Sequence, residues 1–460
     1  MTALLARFLA PEDFGLVAGA NIAITLIQMI AEGGVGAAVV QRAVLTPQFI
    51  GSALAVASMI AAACFLLTVG LSWPYEIFLG MDGLAAIVVA LGISFFFIGP
   101  AGVCEGLMQR DMRFKDLFVV NLITMVVGYA LPVTVLAAAG YGVWALVIGT
   151  LFRMASRLFL LWAGCRAQLS YRPERQALRD VAKFGVGITQ DRIWNWLSVQ
   201  TAPFMIGRFI GQAELGQFYL ANQLAILPLQ HMATVLSAVY LPVMSRAVGD
   251  CRRLTGIFVR LSGLTVVLVI TLGLLMFIAS DLIVRTVLGP KWMGLVPLFE
   301  ILCLGAALRA CVQMTDALSI ARGNVYALAN RRAAVTVLLV GMMFVAERFG
   351  VAGAAWAIVS SQVAMLVLTI GLARPGLDLS APDVGLLGRQ VLAAVVLIAV
   401  ANLPLVYLHL VVNINDVLLA GLAVVVNGIL LAGLQKFVIP DVMSIVLTFS
   451  GGGAKQGVRQ

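Results

Sequence analysis

Arg153, Arg157, Arg192 and Arg309 each fall inside a long run of apolar residues. A guanidinium stays charged at any pH a protein meets, and its planar fork of N–H donors fits a phosphate bidentately. Holding such a group at the centre of a bilayer costs about 2.5–3.5 kcal/mol on insertion scales. The position is therefore kept where the cation meets water, a carboxylate or an anionic ligand. Polar side chains accompany these arginines at helical spacing, so that they share a face. One stripe is Asn21, Thr25, Gln28 and Glu32. A second is Asp191, Asn195 and Ser198, with Arg192 beside it. A third is Arg309, Gln313 and Asp316, and a broader face carries Asn222, Gln223, Gln230 and Thr234. Arg153 and Arg157 stand one turn apart.

Such stripes have two readings. They join helices through hydrogen bonds: Arg309 pairs with Asp316, Asp191 pairs with an arginine of a neighbouring helix, and Arg157 and Arg260 snorkel to the headgroups. Alternatively they line a wet cavity. Arginines outnumber acids in and near the apolar runs, so pairing leaves cations over, and a left-over guanidinium suits a phosphate. Arg153, Arg192 and Arg309 are the expected phosphate contacts, with Arg157 next. Glu32, Asn21, Gln28, Asp191, Asn195, Gln313 and Asp316 are the expected polar or ion-coupling lining. No catalytic, metal or cofactor site is expected. The chain has two histidines, and its six cysteines form no C-x-x-C. It contains neither G-x-x-x-x-G-K-[ST] nor H-E-x-x-H, and no nucleophile elbow.

The elements that carry these residues are apolar runs. The 460 residues are 62% hydrophobic and 11% charged, against about 25% charge in soluble chains. A bilayer core about 30 Å thick needs roughly 20 apolar residues per helix. Thirteen such runs are read: 14–31, 49–71, 84–106, 117–138, 143–164, 184–206, 215–240, 256–279, 294–319, 324–346, 350–373, 387–409 and 416–438. Residues 1–9 read as the tail of one more, so the first helix is largely missing. Pro100, Pro132, Pro203, Pro228 and Pro404, together with Gly33-Gly34, break helix hydrogen bonds where a cavity or neighbour can satisfy them. Trp73 and Tyr75 read as interfacial anchors. The net charge of +9 sits in alternate short loops rather than in a stripe, which excludes a nucleic-acid partner. One loop set carries 20 of the 30 Lys and Arg residues, Arg331 and Arg332 among them, and the opposite set carries 5. The rich set is cytoplasmic by the positive-inside rule, and so is the C-terminus.

The chain repeats itself. Arg7-Phe8, Phe14-Gly15, Ala20-Asn21 and Leu26 align without gaps to Arg208-Phe209, Leu215-Gly216, Ala221-Asn222 and Leu227. Gly142-Val143-Trp144-Ala145 echoes Ala354-Ala355-Trp356-Ala357. Each offset covers six runs, an even number, so the copies point the same way. The expected fold is an all-α membrane protein of two parallel-repeat six-helix bundles, a transporter layout. The parts are an N-terminal lobe over 1–165, a cytoplasmic linker over 166–183, a C-terminal lobe over 184–373, and two extra C-terminal transmembrane helices with a tail over 374–460.

Several stretches resemble one family. Leu5-Ala6-Arg7-Phe8-Leu9-Ala10-Pro11-Glu12-Asp13-Phe14-Gly15 and the segment Glu32 to Arg42 are similar to the entry of bacterial polysaccharide flippases. So are Leu107-Met108-Gln109-Arg110-Asp111-Met112-Arg113-Phe114-Lys115, Gly140-Tyr141-Gly142-Val143-Trp144-Ala145-Leu146 and Ile206 to Gly216. The family is the Wzx-type O-antigen and exopolysaccharide branch of the multidrug/oligosaccharidyl-lipid/polysaccharide flippase superfamily. The resemblance implies twelve core helices and two more at the C-terminus, a place in the bacterial inner membrane, and no enzymatic activity. It implies alternating-access translocation of an undecaprenyl-diphosphate-linked glycan for exopolysaccharide, capsule or lipopolysaccharide. Membrane lipid, a polysaccharide polymerase and a chain-length regulator are the implied partners. An ion-coupled exporter of small molecules on the same fold is the alternative; its usual cationic substrates want acidic cavities. A membrane glycosyltransferase wants large outer loops with paired carboxylates, which are not present.

Overall fold

The computed structural model describes residues 2–32, 35–42, 45–165, 189–247, 250–321 and 325–373. The expected linker over 166–183 and the two C-terminal helices lie outside the described residues. Every regular element described is helical. Eight stretches are long and apolar enough to cross a membrane, from Pro11–Ala31 to Ala327–Thr369, the last containing two helices. The chain is a multi-pass all-α membrane protein. Its surface shows the same solvent preference, since Phe159 is 73% and Leu66 69% exposed, a state that lipid tolerates and water does not.

The helices are α1 (Thr2–Phe8), α2 (Pro11–Glu32), α3 (Val35–Gln41), α4 (Pro47–Leu79), α5 (Leu84–Gly92), α6 (Phe95–Arg110), α7 (Phe114–Met125), α8 (Leu131–Ala138) and α9 (Val143–Cys165). They continue as α10 (Thr189–Met205), α11 (Gln212–Ala247), α12 (Cys251–Ile278), α13 (Ser280–Ile283), α14 (Val296–Ala321), α15 (Val325–Ala346) and α16 (Gly350–Ala373). Gly33-Gly34, between α2 and α3, lie outside the described residues. Pro132 sits at the start of α8, directly after the wide π turn Val126–Ala130; a proline lacks the N–H that would continue the regular ladder. At 33 residues and 1.5 Å per residue, α4 is about 50 Å long and runs well past the expected end at residue 71. Its extra turns carry Tyr75 inward: the hydroxyl donates to the Gly19 carbonyl of α2 at 2.9 Å. Tyr75 is thus a helix-joining residue rather than an interfacial anchor, while Trp73 is 69% exposed.

Contacts divide the chain into two compact units, Met1–Leu220 and Ala221–Gln460. In the first, α6 packs on α3, α4 and α9, around Phe49, Leu54, Val103, Leu107 and Leu161. This unit runs past residue 165 because α10 packs along α2. In the second, α14 packs on α12 and α16, and α15 packs on α16. Tyr240, Phe258, Leu261 and Leu318 share one core there.

The repeat reappears inside the first unit as a local two-fold. A Cβ on Gly15 would stand 2.8 Å from the Gln212 carbonyl carbon, and nearer still to its oxygen. A Cβ on Gly216 would stand 2.9 Å from the Pro11 carbonyl carbon. Gly216 is the counterpart of Gly15 at the 201-residue offset, and Gln212 is the counterpart of Pro11. Each glycine therefore receives the carbonyl of the other copy, and the starts of α2 and α11 cross backbone to backbone.

Candidate functional site

The expected arginines sit on helices whose polar residues face packed neighbours, and the structure sorts them by partner. In the first unit α9 carries Arg153 and Arg157 one turn apart. Arg157 Nη2 donates to Glu105 Oε2 of α6 at 2.7 Å, and both side chains are about a quarter exposed. Gln109 Nε2 also donates to this carboxylate, at 3.4 Å. Arg157 is therefore neutralised within the unit. Arg153 lies with its guanidinium carbon 5.9 Å from the centre of the Tyr129 ring. Its Nε is buried and takes no hydrogen-bond partner. An unsatisfied buried donor costs about 1–3 kcal/mol, and such groups mark strain or a ligand site.

In the second unit the acid of the third stripe pairs with a neighbouring helix. Asp316 of α14 accepts from Arg331 Nη2 at 2.5 Å and from Arg332 Nη2 at 2.9 Å. Both arginines belong to α15, and Arg331 is 5% exposed. The loop assignment of Arg331 and Arg332 is corrected: both lie within a helix, one of them buried. Arg309, two turns before Asp316 on α14, feels the charges of both Asp316 and Arg332. Two guanidiniums thus share one carboxylate, and Arg331 Nε, like Arg153 Nε, is buried without a hydrogen bond.

The polar stripe of α2 meets α10. Trp196 Nε1 and Gln200 Nε2 donate to Thr25 Oγ1 at 3.0 and 2.9 Å. Thr25 in turn donates to the Asn21 carbonyl at 2.6 Å. Asn21 and Gln28 are half-buried on the same helix, Gln313 is half-buried on α14, and Asn195 is exposed on α10. Glu32 ends α2, and Asp191 and Arg192 lie in the first turn of α10; their side chains lie outside the described residues. Glu105, Arg331, Arg332, Trp196 and Gln200 escaped the sequence reading. Glu105 had a visible signal, an acid near the end of an apolar run, but its partner is 52 residues away. Among the described residues, no group of three or more His, Cys, Asp and Glu could hold a metal ion.

Residues 4–297 match the family model described as "Polysaccharide biosynthesis protein". The chain is 24% identical over 327 residues to an uncharacterized membrane protein in the cps region of Klebsiella pneumoniae, covering 70% of this chain and 67% of that one. It is 24% identical over 334 residues to the lipopolysaccharide biosynthesis protein WzxC of Escherichia coli (strain K12), covering 70% and 66%. For the succinoglycan biosynthesis transport protein ExoT of Rhizobium meliloti the identity is 24%, over 65% of this chain and 61% of that one. The chain spans about two thirds of the length of these relatives. Its fold is like that of the lipid II flippase MurJ in an inward closed conformation, with a TM-score of 0.72 at 12% identity over 95% of this chain and 96% of that one. An inward-facing MATE-family multidrug transporter gives a TM-score of 0.58 at 16% identity, over 80% and 91%. The all-helical membrane fold and the match over residues 4–297 agree: the chain belongs to the polysaccharide biosynthesis protein family.

Proposed function

We propose that the chain translocates a lipid-linked, diphosphate-bearing glycan across the bacterial inner membrane by alternating access, with its C-terminus in the cytoplasm and without catalysing a covalent step. The observation that carries this reading is the cationic excess left after internal pairing. Two guanidiniums meet one carboxylate in the second unit, where Arg331 keeps a buried, unsatisfied Nε, and Arg153 keeps another in the first. A diphosphate supplies acceptor oxygens for the two unsatisfied Nε donors of Arg153 and Arg331. The prenyl tail has no such need and stays in lipid. Arg192 belongs to the proposed set by its place on α10. Arg157, bridged to Glu105, serves as a structural pair first. The exopolysaccharide, capsule and lipopolysaccharide classes fit the reading, with undecaprenyl as the carrier and a polymerase and chain-length regulator as downstream partners. A cationic drug would meet repulsion at both clusters.

The experiment is export of surface polysaccharide in cells carrying Arg153→Ala, Arg309→Ala or Arg331→Ala. Each variant should abolish or sharply reduce export with the protein present in the membrane at its normal level, and Arg153→Lys should rescue part of it. Unchanged export by all three would end this reading.

A further inference from the structure

The seam between α2 and α10 is not used by the cationic clusters, yet it is the most elaborate polar contact among the described residues of the first unit. It joins an indole, a carboxamide and a hydroxyl at mid-helix depth. Thr25 Oγ1 accepts from both Trp196 Nε1 and Gln200 Nε2 and donates to the Asn21 carbonyl. Its hydrogen-bonding capacity is filled. The arrangement has a consequence for Trp196. With its N–H tied at 3.0 Å, the ring is held in one orientation, while the residue remains only half-buried. A fixed, part-exposed indole is a flat apolar platform with a polar group at its rim. The polar group there is Gln200, one turn on, whose Nε2 is fixed by Thr25 and whose carbonyl oxygen can accept.

Aromatic face plus planar amides is the chemistry that recognises a neutral sugar ring. The C–H face of a pyranose packs on the indole, and its equatorial hydroxyls bond to amide donors and acceptors. We propose that the α2–α10 seam, centred on Trp196 and Gln200, is a sugar subsite of the transported molecule, taking a neutral hexose of its glycan. The proposal rests on the lipid-linked glycan reading above and adds to it where selectivity among glycans arises. The guanidiniums read the diphosphate common to all such carriers, and the seam reads the sugar. Thr25 is a positioning residue, since it acts through Trp196 and Gln200.

The test uses the full chain in lipid nanodiscs and measures binding of undecaprenyl diphosphate, bare or carrying glucose, galactose or N-acetylglucosamine. In the unaltered protein at least one sugar should tighten Kd over the bare carrier. Trp196→Ala and Gln200→Met should each remove at least tenfold of that gain and leave the bare-carrier Kd unchanged. Gln200→Met keeps the side-chain length, so it reports even where Trp196→Ala fails to fold. Thr25→Val should weaken sugar binding less than Trp196→Ala does. The proposal is overturned if none of the three sugars adds affinity, or if Gln200→Met weakens bare and glycosylated carriers equally or neither. Arg153→Ala separates this from the diphosphate reading: it should weaken all four ligands together. Loss of the sugar gain in the seam variants with no effect of Arg153→Ala would uphold the subsite and reject the diphosphate contact.

Discussion

Gly15→Ala and Gly216→Ala probe the one place where the repeat is visible as a contact. The added Cβ at Gly15 meets the Gln212 carbonyl carbon at 2.8 Å, and at Gly216 it meets the Pro11 carbonyl carbon at 2.9 Å, with the oxygens nearer. The obstacles are backbone atoms, so no rotamer relieves them, and α2 and α11 have to part by about 1 Å. A gap of 0.5–1 Å forfeits roughly a quarter to a half of each dispersion contact across the crossing. The 2.9 Å bond from Gln212 Nε2 to the Glu12 carbonyl is stretched beyond use, a loss of about 0.5–1.5 kcal/mol. Together with overpacking strain of about 1–3 kcal/mol, each alanine should destabilise by roughly 2–4 kcal/mol. Gly70→Ala is the control, because a Cβ there meets nothing within 4 Å; it should be neutral or stabilise by about 0.5–1 kcal/mol, the helix-interior gain of alanine over glycine. Thermal unfolding of the purified protein in nanodiscs gives the comparison. Because both glycines share one crossing, the double variant should cost clearly less than the two single costs combined. Losses as small as that of Gly70→Ala, or strict additivity, would refute the reciprocal crossing.

Asp316→Ala leaves Arg331 and Arg332 without their shared carboxylate, and removal of one partner from a buried ionic cluster costs about 3–5 kcal/mol; a melting shift no larger than that of a surface variant would contradict the cluster. Glu105→Gln should cost less than Asp316→Asn in the same assay, since the Glu105–Arg157 pair is a quarter exposed and an amide oxygen can still accept from Arg157. Tyr75→Phe removes the one hydroxyl bond from α4 to Gly19 and should destabilise by about 0.5–1.5 kcal/mol with no effect on export, read by unfolding and surface-polysaccharide assays side by side.

Membrane residence, helical content, the parallel repeat and the family were legible in the chain itself. Hydrophobic run length is set by bilayer thickness, and the 201-residue offset linking Gly15 to Gly216 is a property of sequence order. The count of arginines against acids singled out Arg153 and Arg309, and their part in binding is the proposal made above. Pairing was not legible in the chain. Arg309 and Asp316 share a face of α14, yet the carboxylate goes to Arg331 and Arg332 of α15, because α14 and α15 bring those groups closer than seven residues along one helix can. Arg157 found Glu105 for the same reason, across 52 residues. Helical periodicity places side chains on faces; only packing decides which face each one meets. The seam of Thr25, Trp196 and Gln200 shows this most plainly: its donors and acceptor lie more than 170 residues apart, and nothing short of the folded α2–α10 contact joins them.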